Sequence, residues 1–282
     1  MPLSSQAQLG GERFNIMKRE QGSMGILPMI ASGQDARATM EKAMNPNKTK
    51  KPSELPDLYH LSAQSWDAKF VKGDHYATDR PFAGLVSVIA ELRRRALTRV
   101  ADLGCGDGRN LGLLTSIAPR VFGLDFAEHA LQQARQRPDV NRAAIGLVRG
   151  DIGRLPFRNG SLDAAISVWT MNHGAHENIR SYIAEMARVL RPGGVIFASV
   201  TSWNLFLAVA MRFVARRIPD SSPDGHTYLL DFRTEKGIHH FFTRGEIHSY
   251  FSRWKIVRLQ RERYRAESPL RIPFWNLLAE KR

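Results

Sequence analysis

The scarcities of this chain narrow its reading first. Among 282 residues there is one cysteine, Cys105. A single thiol excludes an internal disulfide framework and suits a reducing compartment, so a cytoplasmic location is expected. No cluster has metal-ligand spacing; His226, His239 and His240 lack acids at the intervals a metal site uses, and no metal is expected. No apolar run approaches the roughly 20 residues of a membrane span, and the first residues lack the apolar core of a signal peptide. Acidic residues are the charge in short supply. Asp and Glu number 27 against 41 Lys and Arg, a net charge of +14. Half of that excess lies in residues 201–282, with 15 basic against 8 acidic side chains. Such an excess suits a nucleic-acid or acidic-membrane surface, and equally a solvated basic face. The arginines from Arg253 to Arg265 fall where an edge strand is expected, and charge there prevents edge pairing.

What is present concentrates in one segment. Arg99-Val100-Ala101 leads into Asp102-Leu103-Gly104-Cys105-Gly106-Asp107-Gly108 and then a helix-like stretch. That is a strand, a glycine-rich turn and a helix start. Alternate glycines let the backbone turn tightly and let a ligand approach where no Cβ stands in the way. Asp102 ends the first strand and Asp125 ends the next apolar run, at the distance expected for an acid that grips ribose hydroxyls. An adenosine-containing cofactor follows. A nicotinamide site wants a third glycine where this chain has Arg109, and the Tyr-x-x-x-Lys pair of short-chain dehydrogenases is missing. The phosphate-cradling G-x-x-x-x-G-K-[ST] is missing too. S-adenosylmethionine has no phosphate to cradle and needs only close backbone approach and an acid on the ribose. The bland alternatives are a helix N-cap for Asp125, a loop acid for Asp151 and a small buried filler for Cys105.

From about Val100 to Val200 the chain resembles the class I S-adenosylmethionine-dependent methyltransferases, in particular the type 11 group. Four segments carry the resemblance in order: Val100–Gly108; Gly123-Leu124-Asp125-Phe126; Gly150-Asp151-Ile152 with Leu155-Pro156-Phe157; and Met186–Gly194, ending in Pro192-Gly193-Gly194. The resemblance implies S-adenosyl-L-methionine as cofactor, held by Asp102, Gly104, Cys105, Gly106, Gly108, Asp125, Phe126, Asp151, Ile152 and Trp169. It also implies a doubly wound, mostly parallel seven-stranded sheet with helices on both faces and an antiparallel last strand. Methyl transfer needs a base only if the acceptor must lose a proton. His173, in Trp169-Thr170-Met171-Asn172-His173 after the fourth strand, is the candidate; His176 is weaker. The Asn/Asp-Pro-Pro-Tyr/Phe motif of enzymes that methylate amino groups of bases and glutamine is missing.

Residues 1–54 lack sustained apolar periodicity and are expected to be a disordered leader or a mis-annotated start. The methyltransferase domain is expected over 55–282, with a core of about 80–200 and a C-terminal part of 201–282. Helices are expected at Pro81–Arg95, Asn110–Ala118, Glu128–Gln136, Glu177–Leu190, Asn204–Arg217 and Thr243–Phe251, the last opened by a Thr243/Glu246 capping box. Strands are expected at Arg99–Leu103, Val121–Leu124, Ile145–Arg149, Leu162–Val168, Val195–Val200, Lys255–Tyr264 and Phe274–Lys281. Two segments rich in aromatic and His residues, Tyr59–Tyr76 and Arg217–Phe242, are expected to cover a small-molecule acceptor. An RNA methyltransferase and a cofactor-binding protein without turnover are the alternatives. Oligomeric state is not legible.

Overall fold

The computed structural model describes residues 65–72, 80–139, 145–204, 215–218, 226–231, 236–263 and 273–282. The expected leader, the segment 205–214 and much of Tyr59–Tyr76 lie outside these. Along the chain run α1 (residues 65–72), α2 (Ala83–Val86), α3 (Ile89–Arg93), β1 (Arg99–Leu103), α4 (Leu111–Thr115), β2 (Arg120–Asp125), α5 (Glu128–Gln136), β3 (Ile145–Arg149), β4 (Leu162–Val168), α6 (His176–Val189) and β5 (Leu190–Thr201). After these come β6 (Arg216–Arg217), β7 (Thr227–Asp231), β8 (Lys236–His240), α7 (Arg244–Tyr250), β9 (Trp254–Arg263) and β10 (Pro273–Lys281).

Seven strands form one sheet in the order β3-β2-β1-β4-β5-β10-β9. The pairs among β1 to β5 are parallel, and β10 is antiparallel to both β5 and β9. This is the expected Rossmann-like sheet, with the last strand inserted antiparallel between two others. β4 lies in the middle and is buried along its whole length, Asp163 and Ser167 included, so its burial shows no alternation. Alternation persists in β1, where Ala101 and Leu103 join one core and Val100 the other. The first core packs Ile179, Tyr182, Ile183 and Met186 of α6 and Ile247 of α7 against the sheet. The second packs Leu85, Leu92, Leu111, Leu114 and Leu131 of α2 to α5 against the opposite face. Burying both faces removes roughly 25 cal/mol of apolar exposure cost per Å², which is why a parallel sheet needs both layers.

Local chemistry explains where elements differ from expectation. Pro81–Arg95 is two short helices, not one. Ser87 Oγ donates to the Gly84 carbonyl (2.7 Å) and Val88 N–H to the Leu85 carbonyl (3.1 Å), tightening the chain between them. Leu85, Val88 and Leu92 still all face the core. β5 begins at Leu190, five residues before the expected Val195, because Leu190 pairs with Leu162 ahead of a register shift. Gly193 takes the left-handed φ of 71° in that interval, which supports the turn role of Pro192-Gly193-Gly194. The small sheet β6-β7-β8 had no counterpart in the sequence reading. Two arginines of the basic C-terminal part are tied inward: Arg261 Nε donates to Ser202 Oγ (2.9 Å) and Arg258 Nη1 to the Ser87 carbonyl (3.4 Å). Among the described residues no helix is long and apolar enough to cross a membrane.

The capping box of α7 forms as expected. Glu246 N–H donates to Thr243 Oγ1 (3.1 Å) and Thr243 N–H to Glu246 Oε2 (3.0 Å). Thr243→Ala is expected to lower unfolding free energy by about 1 kcal/mol, measured by urea denaturation, with cofactor affinity unchanged.

Candidate functional site

The strand order reverses direction between β1 and β4, and the loops after these two strands open a crevice at their C-terminal ends. Open α/β sheets bind ligands at such a switch point. Gly104, Gly106 and Gly108 all adopt left-handed φ, at 77°, 54° and 82°. Only the middle glycine faces the crevice. A Cβ at Gly104 would overlap the Thr170 side chain, and one at Gly108 would lie 2.9 Å from Ala134 Cβ of α5. At Gly106 a Cβ would meet the Phe70 ring of α1 at 3.3 Å. Cys105 is buried, its sulfur directed at Gly123 across β2. Its thiol is pushed well up, first by burial and then by the nearby Asp125, Asp102 and Asp107. It is a filler, and its contribution to a cradle is its backbone.

Two carboxylates flank the loop. Asp125 Oδ2 accepts from Gly106 N–H (2.8 Å) and Oδ1 from Ala127 N–H (2.9 Å). Asp125 therefore ties the glycine loop to the start of α5, although the N-cap residue is Ala127. Burial pushes its carboxyl up to about 6 against the pull of these hydrogen bonds. Asp102 is fully buried. Its Oδ2 accepts from Asn110 Nδ2 (3.4 Å), while Oδ1 has no hydrogen-bond partner among the described residues. Burial pushes Asp102 up to about 7, opposed by Asn110 and by the Arg109 guanidinium. An orphaned buried carboxylate oxygen costs energy unless something cationic reaches it. Arg109, where a nicotinamide site would have glycine, lies 4.7 Å from the Trp169 ring and 6.0 Å from that of Phe82.

Beside the loop lies a cleft of about 680 Å³ lined by Phe126, Arg149, Gly150 and Asp151 and, from α1, by Asp67, Ala68, Val71 and Lys72. Asp151 Oδ1 accepts from Gly153 N–H (2.8 Å). Ile152 turns its side chain into the core between the sheet and α6, so only its backbone is available to a ligand there. Helix α1 closes the cleft. Phe70 and Trp66 pack with Phe126, Ala127 and Ala130. Asp67 accepts from His129 N–H (3.1 Å) and its other oxygen lies 2.9 Å from His129 Nδ1. Burial would raise Asp67, yet these His129 contacts hold it below the usual carboxylate range. Trp66 and Phe70 are one helical turn apart, the spacing that puts both on one face. That spacing was present in the sequence, but its partners were not.

The segment after β4 forms the other wall. Trp169 sits in the left-handed region (φ 59°), rare for a bulky residue. It stacks on Phe274 at 5.0 Å and meets Phe82 edge-on at 5.3 Å. It is not among the residues that line the cleft beside Asp151. Asn172 is the clip of this wall. Its Nδ2 donates to the Trp169 carbonyl (3.0 Å), its Oδ1 accepts from Thr201 N–H (3.3 Å), and its carbonyl accepts from His240 N–H (2.8 Å). His173 contacts Trp66 (4.8 Å) and His239 (5.0 Å), both edge-on. His176 is elsewhere, bonded through Nδ1 to Tyr250 Oη (2.6 Å). His240 is also committed: Nδ1 lies 2.7 Å from Thr227 Oγ1 and Nε2 3.4 Å from Glu246 Oε1, all buried. Among the described residues no group of three or more His, Cys, Asp or Glu is placed to hold a metal.

The cradle with no side chain at Gly106, the orphaned Asp102 oxygen and the adjoining cleft fit an elongated ligand with a cationic end. Left-handed φ at a non-glycine residue costs about 1–3 kcal/mol. Gly104→Ala adds overlap with Thr170 and is expected to lose more stability than Gly106→Ala in matched denaturant titrations.

Residues 100–194 match the family described as "Methyltransferase domain". A probable S-adenosylmethionine-dependent methyltransferase of Mycolicibacterium smegmatis is 31% identical over 100 residues, 36% of this chain and 37% of that one. A demethylmenaquinone methyltransferase of Corynebacterium kroppenstedtii is 28% identical over 70% of this chain and 81% of its own length. The chain spans less than half the length of the curated relatives it matches above 30% identity. Among solved structures, the Burkholderia thailandensis 1,6-didemethyltoxoflavin-N1-methyltransferase, with S-adenosylhomocysteine bound, superposes with a TM-score of 0.57 at 18% identity, covering 82% of this chain and 91% of that one. Sheet order, glycine loop and these matches agree over one segment: residues 100–194 are similar to the methyltransferase-domain family, in keeping with the expected resemblance to the class I S-adenosylmethionine-dependent methyltransferases of the type 11 group.

Proposed function

We propose that this protein transfers a methyl group from S-adenosyl-L-methionine to a small-molecule acceptor. The observation that carries the reading is the switch-point cradle, Gly106 beside the buried, half-partnered carboxylate of Asp102. Its relatives named for small-molecule acceptors, demethylmenaquinone and 1,6-didemethyltoxoflavin, support the same reading. When bound, the cofactor supplies an electrophilic methyl group on a sulfonium. The chain's residues bind, orient and exclude water around it. Gly104, Cys105, Gly106 and Gly108 give a backbone surface for the methionine part, and Asp102 offers its oxygen to the ammonium. Asp125 keeps lone pairs for the ribose hydroxyls beyond those given to Gly106 and Ala127. Phe126, Asp151 and the Ile152 backbone receive the adenine in the cleft under α1. Trp169 bounds the acceptor side, and His173 takes a proton from the acceptor there. Expelling water under α1 strengthens the electrostatics on the developing charges. We place the reaction in the cytoplasm, in keeping with one unpaired cysteine, and read residues 1–54 as lying outside the catalytic domain.

Calorimetric titration with S-adenosylmethionine, S-adenosylhomocysteine and NAD tests the reading: the first two are expected to bind and NAD is not. Tight binding of NAD alone would overturn it. Asp125→Ala is expected to weaken S-adenosylhomocysteine by roughly 1–3 kcal/mol, the range for a lost hydrogen bond to a charged group, with the fold retained by circular dichroism.

The raised acids give a pH signature. Asp102 and Asp125 stand at about 7 and 6 against a usual 3.8, so the folded apoprotein holds protons the unfolded chain has released. Their contribution to stability is present at pH 4 and is lost as pH rises through 6 and 7. A ligand's ammonium and hydroxyl groups donate best to ionised carboxylates. Affinity for S-adenosylhomocysteine is therefore expected to rise from pH 5 to 8, while apoprotein stability changes in the opposite sense over pH 4 to 7. A pH-independent affinity would remove these acids from the site.

A further inference from the structure

Two imidazoles meet on the acceptor side of the crevice, and they reach it from different elements. His173 follows β4, and His239 is on β8 of the small sheet. Their ring centroids are 5.0 Å apart with planes at 87°, an edge-to-face pair. Neither is left to swing. Tyr182 Oη donates to the His173 carbonyl (3.2 Å), and Asn172 clips the same loop to β5 and to His240. His239 Nε2 lies 3.1 Å from Thr201 Oγ1 at the end of β5, and its ring lies 4.7 Å from Phe241. Both rings are half-buried, whereas His240 is wholly enclosed. Helix α1 fixes where the pair stands relative to the cofactor. Phe70 meets Gly106 at the cradle and Trp66, one turn earlier on the same helix face, meets His173. The imidazole pair and the glycine loop thus touch side chains one turn apart on the same helix face.

Resting on the methyl-transfer reading, we propose that His173 and His239 together handle the proton of a planar acceptor whose nucleophile is an ionisable ring hydroxyl. Flat rings suit the walls, since Trp66 and Phe241 flank the pair. A thioether or an uncharged amine already has a free lone pair and needs no base before attack. A hydroxyl becomes a strong nucleophile only as its proton leaves. In the step, one imidazole nitrogen takes the hydroxyl proton and an oxygen lone pair forms the bond to the methyl carbon. The carbon–sulfur bond breaks with its electron pair staying on sulfur. The proton then passes from imidazolium to water, the paired ring and Thr201 stabilising the charge in the interval.

The test uses the full chain saturated with S-adenosylhomocysteine and two probes, 2-naphthol and its methyl ether. Binding is measured by calorimetry and the imidazole resonances by NMR. 2-Naphthol is expected to bind roughly ten-fold or more tighter than the ether, the scale of a hydrogen bond to a charged or ionising group, and to shift both His173 and His239. His173→Gln and His239→Gln are each expected to erase that preference while S-adenosylhomocysteine affinity and melting temperature hold. With S-adenosylmethionine present, the methyl group is expected on the naphthol oxygen, at a rate that falls in both variants. Equal binding of the two probes, no binding of either, or a preference that survives both substitutions overturns the inference alone. Failure of the wild-type chain to bind S-adenosylhomocysteine overturns the methyl-transfer reading and this inference with it.

Discussion

The geometry of the site depends on one buried carboxylate. Asp125 receives the N–H groups of Gly106 and Ala127 on its two oxygens, and so joins the turn after β1 to the entry of α5. Without that clamp, three consecutive left-handed glycines at alternate positions would leave the loop among the least restrained in the molecule, because glycine has the most backbone freedom to lose. With it, the loop is also pinned from β2, where the Leu124 carbonyl accepts from the N–H groups of Gly104 and Cys105 at 2.7 and 3.0 Å. The cost is electrostatic. Asp125 and Asp102 are both buried, and burial raises both. Acids held this way are stored interaction energy for a cationic ligand, a common property of functional sites.

Around that clamp the chain builds two walls of different kinds. On one side α1 covers the cleft with Trp66 and Phe70 and is anchored by Asp67 on the first turn of α5, supplying an acceptor to His129 N–H that the helix itself cannot. On the other, Asn172 ties together three segments that no local hydrogen bonding would bring together: the loop after β4, the end of β5 and the edge of the small sheet. The left-handed Trp169 is held in this wall by its stacking on Phe274 and by Asn172 Nδ2 on its carbonyl. Strained residues persist where their surroundings over-determine them, and such places are often functional.

The small sheet β6-β7-β8 is joined to the main domain through buried polar chemistry as well as apolar contact. Thr227, His240 and Glu246 form a chain from β7 through β8 to α7. Glu246 serves that chain and the capping box together. This arrangement presents His239 to the crevice while the neighbouring His240, facing the opposite way in the strand, is enclosed. Adjacent strand residues point to opposite sides, and that alternation sorts two neighbouring histidines into different roles.

The sequence by itself determined the parallel sheet, the positions of β1 to β4, the capped helix α7 and the glycine loop. Each of these rests on short-range chemistry: apolar runs bounded by turn residues, a Thr-x-x-Glu start, glycines where φ must be positive. It also placed Asp102 and Asp125 at the ends of β1 and β2. Tertiary structure alone decided the rest. That Gly104 and Gly108 are glycines for Thr170 and Ala134, and only Gly106 for the crevice, depends on neighbours 66 or fewer residues away that spacing cannot assign. The turning of Trp169 onto Phe274 follows from packing across the sheet. The meeting of His173 with His239 joins residues from a strand end and from a sheet whose short strands carry little periodicity. A pattern of residues records which side chains an element buries; it does not record which side chains of distant elements will meet.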